Sequence, residues 1–131
     1  MTEKRGGSDV SAATETMALH QGGDVYSLHG YKWFSSATDS DISFTLAKTA
    51  NTSKLSMFFL KTRTAAGQLN GLEVYKLKNK LGTRQLPTAE LLLDGTESRL
   101  VSPEGRGIPA ISNMLTVTRI HNSVSAAAAM R

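Results

Sequence analysis

Between Thr14 and Leu100 the chain is a succession of short runs rich in Val, Leu, Phe, Tyr and Thr, broken by Gly, Asn, Asp and Ser. β-Branched and aromatic side chains fit the pleated surface of a strand, and the interrupting residues are those that turns require. Eight strands are expected: Thr14 to Leu19, Val25 to Leu28, Tyr31 to Ser35, Ile42 to Lys48, Leu55 to Lys61, Leu72 to Lys78, Ala89 to Leu93 and Arg99 to Val101. Their close, regular spacing predicts a mainly β domain, an antiparallel β-barrel or sandwich.

Gly22-Gly23-Asp24 reads as a hairpin turn, because glycine supplies the positive φ of a tight connection. His29-Gly30 is expected to turn the chain into Tyr31. Thr49 to Lys54 and Thr64 to Gly71 read as polar loops. Past Pro103 the composition changes. Ile108, Ile111, Leu115 and Ile120, followed by the alanine run Ala126 to Ala129, predict a helix of roughly twenty residues over Ile108 to Arg131, alanine being the best helix former. No glycine cap or other stop signal ends it, so the helix is expected to be truncated, and the dense motif starting at Thr2 gives the other end the same look. The expected organisation is a β-domain over residues 1–104 and the start of a helical domain over residues 105–131.

The 131 residues suffice for one core, and 40% hydrophobic against 20% charged is too apolar for a disordered chain. No run approaches the roughly 20 apolar residues of a spanning helix, and no secretory signal is visible. Without cysteine there is no disulfide, thiolate metal site or cysteine nucleophile. His20, His29 and His121 lack metal-like spacing, so no metal is expected. The net charge of +4 reads as solubility, and Lys76, Lys78 and Lys80, alternating as on a strand, read as a solvated face.

Four segments carry possible chemistry. The first is Met1-Thr2-Glu3-Lys4-Arg5-Gly6-Gly7-Ser8-Asp9-Val10, where glycines allow close backbone approach and Thr2 and Ser8 offer hydroxyls. It is not a nucleotide-binding P-loop, lacking the Lys-Ser/Thr ending and the following helix. The second, Gly30-Tyr31-Lys32-Trp33-Phe34-Ser35-Ser36, sets aromatic rings beside hydroxyls, a combination suited to stacking and orienting a flat heteroaromatic ligand. One of Trp33 and Phe34 is expected to point into the core. The third runs from Lys80 to Glu90 through Gly82, Arg84 and Thr88. The fourth, Glu104-Gly105-Arg106-Gly107, leads into the helix carrying Thr118-Arg119. Taken singly, each is more often a turn or a surface charge than a site.

In order and together, these segments resemble the middle domain of the acyl-CoA dehydrogenase family, with its TEPxxGSD, GxKxWITN, KxGxRxSxTxxLxFxxV and GxGF motifs. The resemblance spans nearly the whole chain. Lys4 and Arg5 stand where the family has Pro-Gly, and MTEKRGGSDV followed by YKWFSSA is similar to the AidB-like branch of alkylation-response flavoproteins.

The resemblance implies FAD as cofactor. Aligned on Lys32, Phe34 takes the place of the family's flavin-facing tryptophan, Ser35 that of its isoleucine, and Ser36 that of the threonine whose hydroxyl meets flavin N5. Alignment on Trp33 nominates Ser35 instead; the lysine register needs no gap and keeps the alternation of strand faces. The implied flavin-binding residues are Met1, Thr2, Gly7, Ser8, Phe34, Ser35 and Ser36. Ser8, Thr118 and Arg119 are the implied substrate-binding residues.

The implied parent reaction is α,β-dehydrogenation of an acyl-CoA thioester, in which a carboxylate takes a proton as a hydride leaves for the flavin. No catalytic residue is expected in this chain. Most of the family keeps the base beyond the position of Arg131, and the minority glutamate position holds Thr118, which cannot act as a carboxylate base. The chain alone is therefore expected to be inactive and to bind FAD weakly. The resemblance further implies acyl-CoA and an electron-transfer partner for the parent, a homo-oligomeric parent, often a tetramer, and nucleic acid as a possible partner though not through this segment. From the lack of a long apolar run, no membrane partner is expected. An intracellular location, mitochondrial or cytoplasmic, is expected. Competing readings are an AidB-like flavoprotein domain in the alkylation or DNA-damage response, nucleic-acid binding suggested by the positive charge, and a free-standing β-barrel binding module without flavin.

Overall fold

The computed structural model describes residues 2–7, 9–11 and 13–131. Six strands are followed by one helix: β1 (Met17–Gly22), β2 (Val25–Ser35), β3 (Ile42–Thr49), β4 (Thr52–Lys61), β5 (Leu72–Leu77), β6 (Ala89–Leu100) and α1 (Gly107–Ala129). The sheet order is β2-β1-β3-β4-β6-β5, and a further pairing of β2 with β6 closes a barrel in which the other edge of β6 is shared by β5, along Ala89 to Leu93, and β4, at Arg99 and Leu100. Closure satisfies backbone groups that an open sheet would leave at its edges.

All pairings are antiparallel except β1 with β3, where Met17 faces Lys48 and Ala18 faces Thr49 in parallel register. The expected antiparallel barrel is present, and its one short parallel contact arises because the chain leaves β2, passes β1 and returns on its far side as β3.

The expected turn at His29-Gly30 and the expected break between Leu93 and Arg99 are absent, so eight expected strands become six. The backbone runs straight through His29-Gly30 within β2. Gly30 is needed for close approach: a Cβ there would sit 2.4 Å from Thr16 Oγ1 and 2.7 Å from Thr16 Cα. In β6, Asp94-Gly95 resembles a turn but forms a bulge. Leu28 pairs with Thr96 and His29 with Asp94, leaving Gly95 at φ 74 without a partner residue. A bulge of this kind uses the left-handed backbone that glycine tolerates. The expected Thr49 to Lys54 loop shrinks to Ala50-Asn51, since Thr49 already pairs with Thr52. The Gly22-Gly23 turn is present, with φ of 131 and 58.

Alternation along the strands produces two cores. Ala18, Tyr26, Leu28, Ala47, Phe58, Leu60, Leu72 and Leu93 fill the barrel. On the outer face, Leu46 and Leu55 pack with Ile111 of α1, flanked by Val10, Met57, Ile108 and Leu115. Only Gly107 and Ile111 of α1 are buried. Beyond Leu115 the helix is exposed, and among the described residues no helix is long and apolar enough to cross a membrane.

Candidate functional site

The first and second motifs meet at the end of β2. Thr2 forms an antiparallel bridge with Phe34. Its carbonyl accepts the Trp33 amide at 2.8 Å and the Phe34 amide at 3.5 Å. One edge therefore carries Thr2, Phe34 and the residues that follow.

Beneath that edge lies an ion pair that the sequence analysis did not single out. Glu3 and Lys32 are 5% and 2% exposed, and Lys32 Nζ donates to Glu3 Oε1 at 2.7 Å and to the Leu46 carbonyl at 2.9 Å. Glu3 also accepts from the Thr16 hydroxyl at 2.6 Å and from the Glu15 and Thr16 amides at 2.5 and 3.3 Å. Burial alone raises the Glu3 carboxyl, but the Lys32 ammonium and these hydrogen bonds outweigh it and hold the group below its ordinary range. Burial pushes the Lys32 ammonium down, opposed by Glu3. A lysine inside the apolar run Tyr31 to Phe34 was the available signal, because a buried lysine needs a counter-charge.

Downstream of Lys32 the strand does not keep its alternation of faces. Lys32 pairs with Leu91 and Ser35 with Ala89, so Trp33 and Phe34 together oppose Glu90. This bulge overturns the continuous alternation used to prefer the lysine register. It also leaves neither ring in a core: Trp33 is half-buried and Phe34 is 43% exposed, both outside the two clusters. Ser35 is half-buried and Ser36 exposed, and both line a narrow cavity of about 50 Å³ that Lys32 and Leu91 also border.

The lysine stripe is not a solvated face. β5 ends at Leu77, so strand periodicity does not extend to Lys78 and Lys80. Lys78 Nζ lies 3.2 Å from the centre of the Trp33 ring and 4.5 Å from that of Phe34, and Lys4 Nζ is 5.0 Å from the Trp33 ring. Glu90 holds Lys78 at 2.7 Å and accepts the Tyr31 hydroxyl. The bond to Glu90 keeps the Tyr31 phenol protonated, pushed up to about 12. Lys80 bonds Thr88 Oγ1 at 2.8 Å and the Leu86 carbonyl at 3.2 Å. Lys76 alone of the three is exposed, Lys78 and Lys80 being half-buried. The third motif thus reaches the second through β6, with Glu90 as the joint.

The other implied residues are Met1, Gly7, Ser8, Thr118 and Arg119. Gly7 is exposed at φ 54, its amide bonded to the Glu3 carbonyl at 3.1 Å. Met1 and Ser8 lie outside the described residues. Thr118 and Arg119 are exposed on α1, and the Thr118 hydroxyl donates to the Leu115 carbonyl at 2.8 Å. Since α1 packs on β4, this structure does not bring them to the Thr2–Phe34 edge. The fourth motif is anchored by the Gly105 amide on Ser56 Oγ at 2.9 Å. Among the described residues no group of His, Asp and Glu could hold a metal ion.

The family described as "Acyl-CoA dehydrogenase, middle domain" matches residues 1–96, which include the first three motifs and the strands that join them. The chain belongs to the acyl-CoA dehydrogenase family. It is 52% identical over its whole length to Acyl-CoA dehydrogenase family member 11 of Caenorhabditis elegans, covering 22% of that protein. It is 38% identical over its whole length to the putative acyl-CoA dehydrogenase AidB of Escherichia coli K12, covering 24%. The C. elegans ACDH-11 structure in complex with C11-CoA superposes with a TM-score of 0.90 at 53% identity, over 95% of this chain and 22% of that one. A Bacillus anthracis acyl-CoA dehydrogenase complexed with FAD gives a TM-score of 0.74 at 25% identity, over 90% of this chain and 20% of that one. The chain therefore spans about a quarter of the length of the curated relatives named here, as one middle domain would.

Proposed function

We propose that the edge carrying Thr2, Phe34 and Ser36 is one wall of an FAD site, and that the protein to which this domain belongs dehydrogenates acyl-CoA thioesters. The observation carrying the proposal is the Thr2 carbonyl on the Trp33 amide, which sets a threonine, an exposed aromatic ring and an exposed serine on one edge. That donor set fits a flavin. Phe34 offers a flat apolar face, and the Thr2 and Ser36 hydroxyls can donate to ring nitrogens and carbonyls. Lys78 and Lys4, gathered on Trp33, add positive charge beside the ring that suits an electron-rich ligand. Met1, Gly7, Ser8 and Ser35 complete the flavin-binding set.

Bound there, FAD supplies the hydride acceptor. The chain's own residues hold the ring edge, exclude water from one face and fix its orientation. Ser8, Thr118 and Arg119 are assigned to acyl-CoA, the last two once α1 is packed within the full-length protein. Thr118 offers a neutral hydroxyl, so the proton-accepting carboxylate is assigned elsewhere in that protein, as are the electron-transfer partner and the homo-oligomeric contacts.

Titrating FAD against the 131-residue chain while following its single tryptophan tests the reading. Saturable quenching at high flavin concentration is expected, weakened by at least about tenfold in Phe34→Ala. No dehydrogenation of an acyl-CoA is expected from the chain plus FAD. Absence of saturable quenching would sink the flavin reading, and a tight one-to-one yellow complex would show that this wall suffices alone.

A further inference from the structure

The buried Glu3–Lys32 pair touches two separate parts of the chain besides its own two residues. Glu3 gathers the Glu15 amide and the Thr16 amide and hydroxyl, while Lys32 reaches across to the Leu46 carbonyl on β3. Both are adjacent in sequence to partners in the edge above them. Glu3 follows Thr2, and Lys32 precedes Trp33, whose amide the Thr2 carbonyl accepts at 2.8 Å. Among the described residues this bridge, the ion pair below it and Lys4 over the Trp33 ring join the N-terminal segment to the end of β2, where the bulge at Trp33–Phe34 has interrupted the ladder with β6.

An ion pair removed from water gains strength from the low dielectric but is no better for stability than a well-packed apolar pair, so its distinctive contribution is directional. Here it fixes where one chain segment sits on another. We infer that Glu3 and Lys32 are positioning residues for the flavin-facing edge, holding the Thr2 carbonyl on the Trp33 amide and thereby setting Thr2, Phe34 and Ser36 relative to one another. The inference rests on the flavin reading of that edge, but its structural half can be read without flavin.

The test uses the double substitution Glu3→Gln/Lys32→Met in the 131-residue chain, with Lys32→Met alone for comparison. Both charges leave together in the double variant, so no unpaired charge is buried, and the side-chain amide oxygen of the introduced glutamine can still accept from Thr16 and Glu15. Amide hydrogen exchange at Trp33 reports the bridge, the β3–β4 ladder reports the barrel, and quenching of Trp33 by FAD reports the edge. Loss of Trp33 protection by at least about tenfold, with the β3–β4 amides unchanged and the half-quenching FAD concentration raised at least about tenfold, is the expected result. Unchanged Trp33 protection overturns the inference. So does a deprotected Trp33 amide with FAD quenching intact, and so does loss of β3–β4 protection in both variants, which would make the pair an element of the barrel alone. Failure of FAD to quench the unsubstituted chain sinks the flavin reading instead, while exchange at Trp33 still decides whether the pair holds the bridge.

Discussion

The N-terminal segment and the outer half of α1 both carry residues assigned to ligands, yet they are held in opposite ways. Thr2 is bridged to Phe34 above an ion pair that is almost fully buried. Thr118 and Arg119 stand on a helix exposed past its first turns, and the Thr118 hydroxyl bonds only one turn back, to Leu115. The first region is specified by contacts between residues distant in sequence. The second is specified by helix propensity, with the alanine run Ala126 to Ala129 supplying what packing does not. Pre-organisation of the proposed flavin wall is thus internal to this domain, whereas nothing in the fold of this domain fixes Thr118 and Arg119 against a ligand.

The most severe test of this contrast is Lys32→Met, which strands the Glu3 carboxylate in the interior and is expected to cost about 3–5 kcal/mol. Urea unfolding measures it, and a loss below about 1 kcal/mol would mean that Glu3 finds water. Ile111→Ala, at the one buried side chain of α1, should cost about 2–5 kcal/mol by emptying the outer core. The same urea series should find the barrel still folded and far-UV helicity reduced.

Acid should act on the first region selectively. The carboxyls of Glu3 and Glu90 are both held below their ordinary value of 4.5, Glu90 chiefly by hydrogen bonds from Lys78 and Tyr31. Their stabilisation is present in full above that value and is lost as pH falls through the lower folded values. Melting temperature should therefore decline below about pH 4.5, and the decline should be shallower in Glu3→Gln. Equal slopes would remove Glu3 from the account. The smallest effect is expected on the outer helix. Ile120 and Val124 are 59% and 62% exposed, and alanine at either should move stability by no more than about 0.5 kcal/mol in the isolated chain. A larger loss would show the helix face to be packed in solution.

Much of the barrel was legible in the sequence because strand periodicity and turn residues are local signals. The Gly22-Gly23 turn, the β3 core and the long helix all lie where composition puts them. The failures share a cause. Gly30 and Gly95 look like turn residues, but one makes room for Thr16 and the other relieves a bulge, and both reasons exist only once distant strands are paired. The parallel contact of β1 with β3 is invisible for the same reason. At the site, four ordered motifs identified the family and nominated Thr2, Phe34 and Ser36. They did not reveal Glu3 with Lys32 or Glu90 with Lys78, which lie 29 and 12 residues apart and meet only through the fold.

The β2–β6 seam also bears on how quickly the domain forms. Val25 meets Arg99 across it, whereas β3 and β4 are joined by a two-residue connection. Chain-closure entropy favours the short hairpin as an early structure and delays the seam. The ring is therefore expected to zip shut last along β2, the strand that carries Trp33 and Phe34, and the edge proposed to face flavin matures only when nearly the whole domain has been synthesised and collapsed.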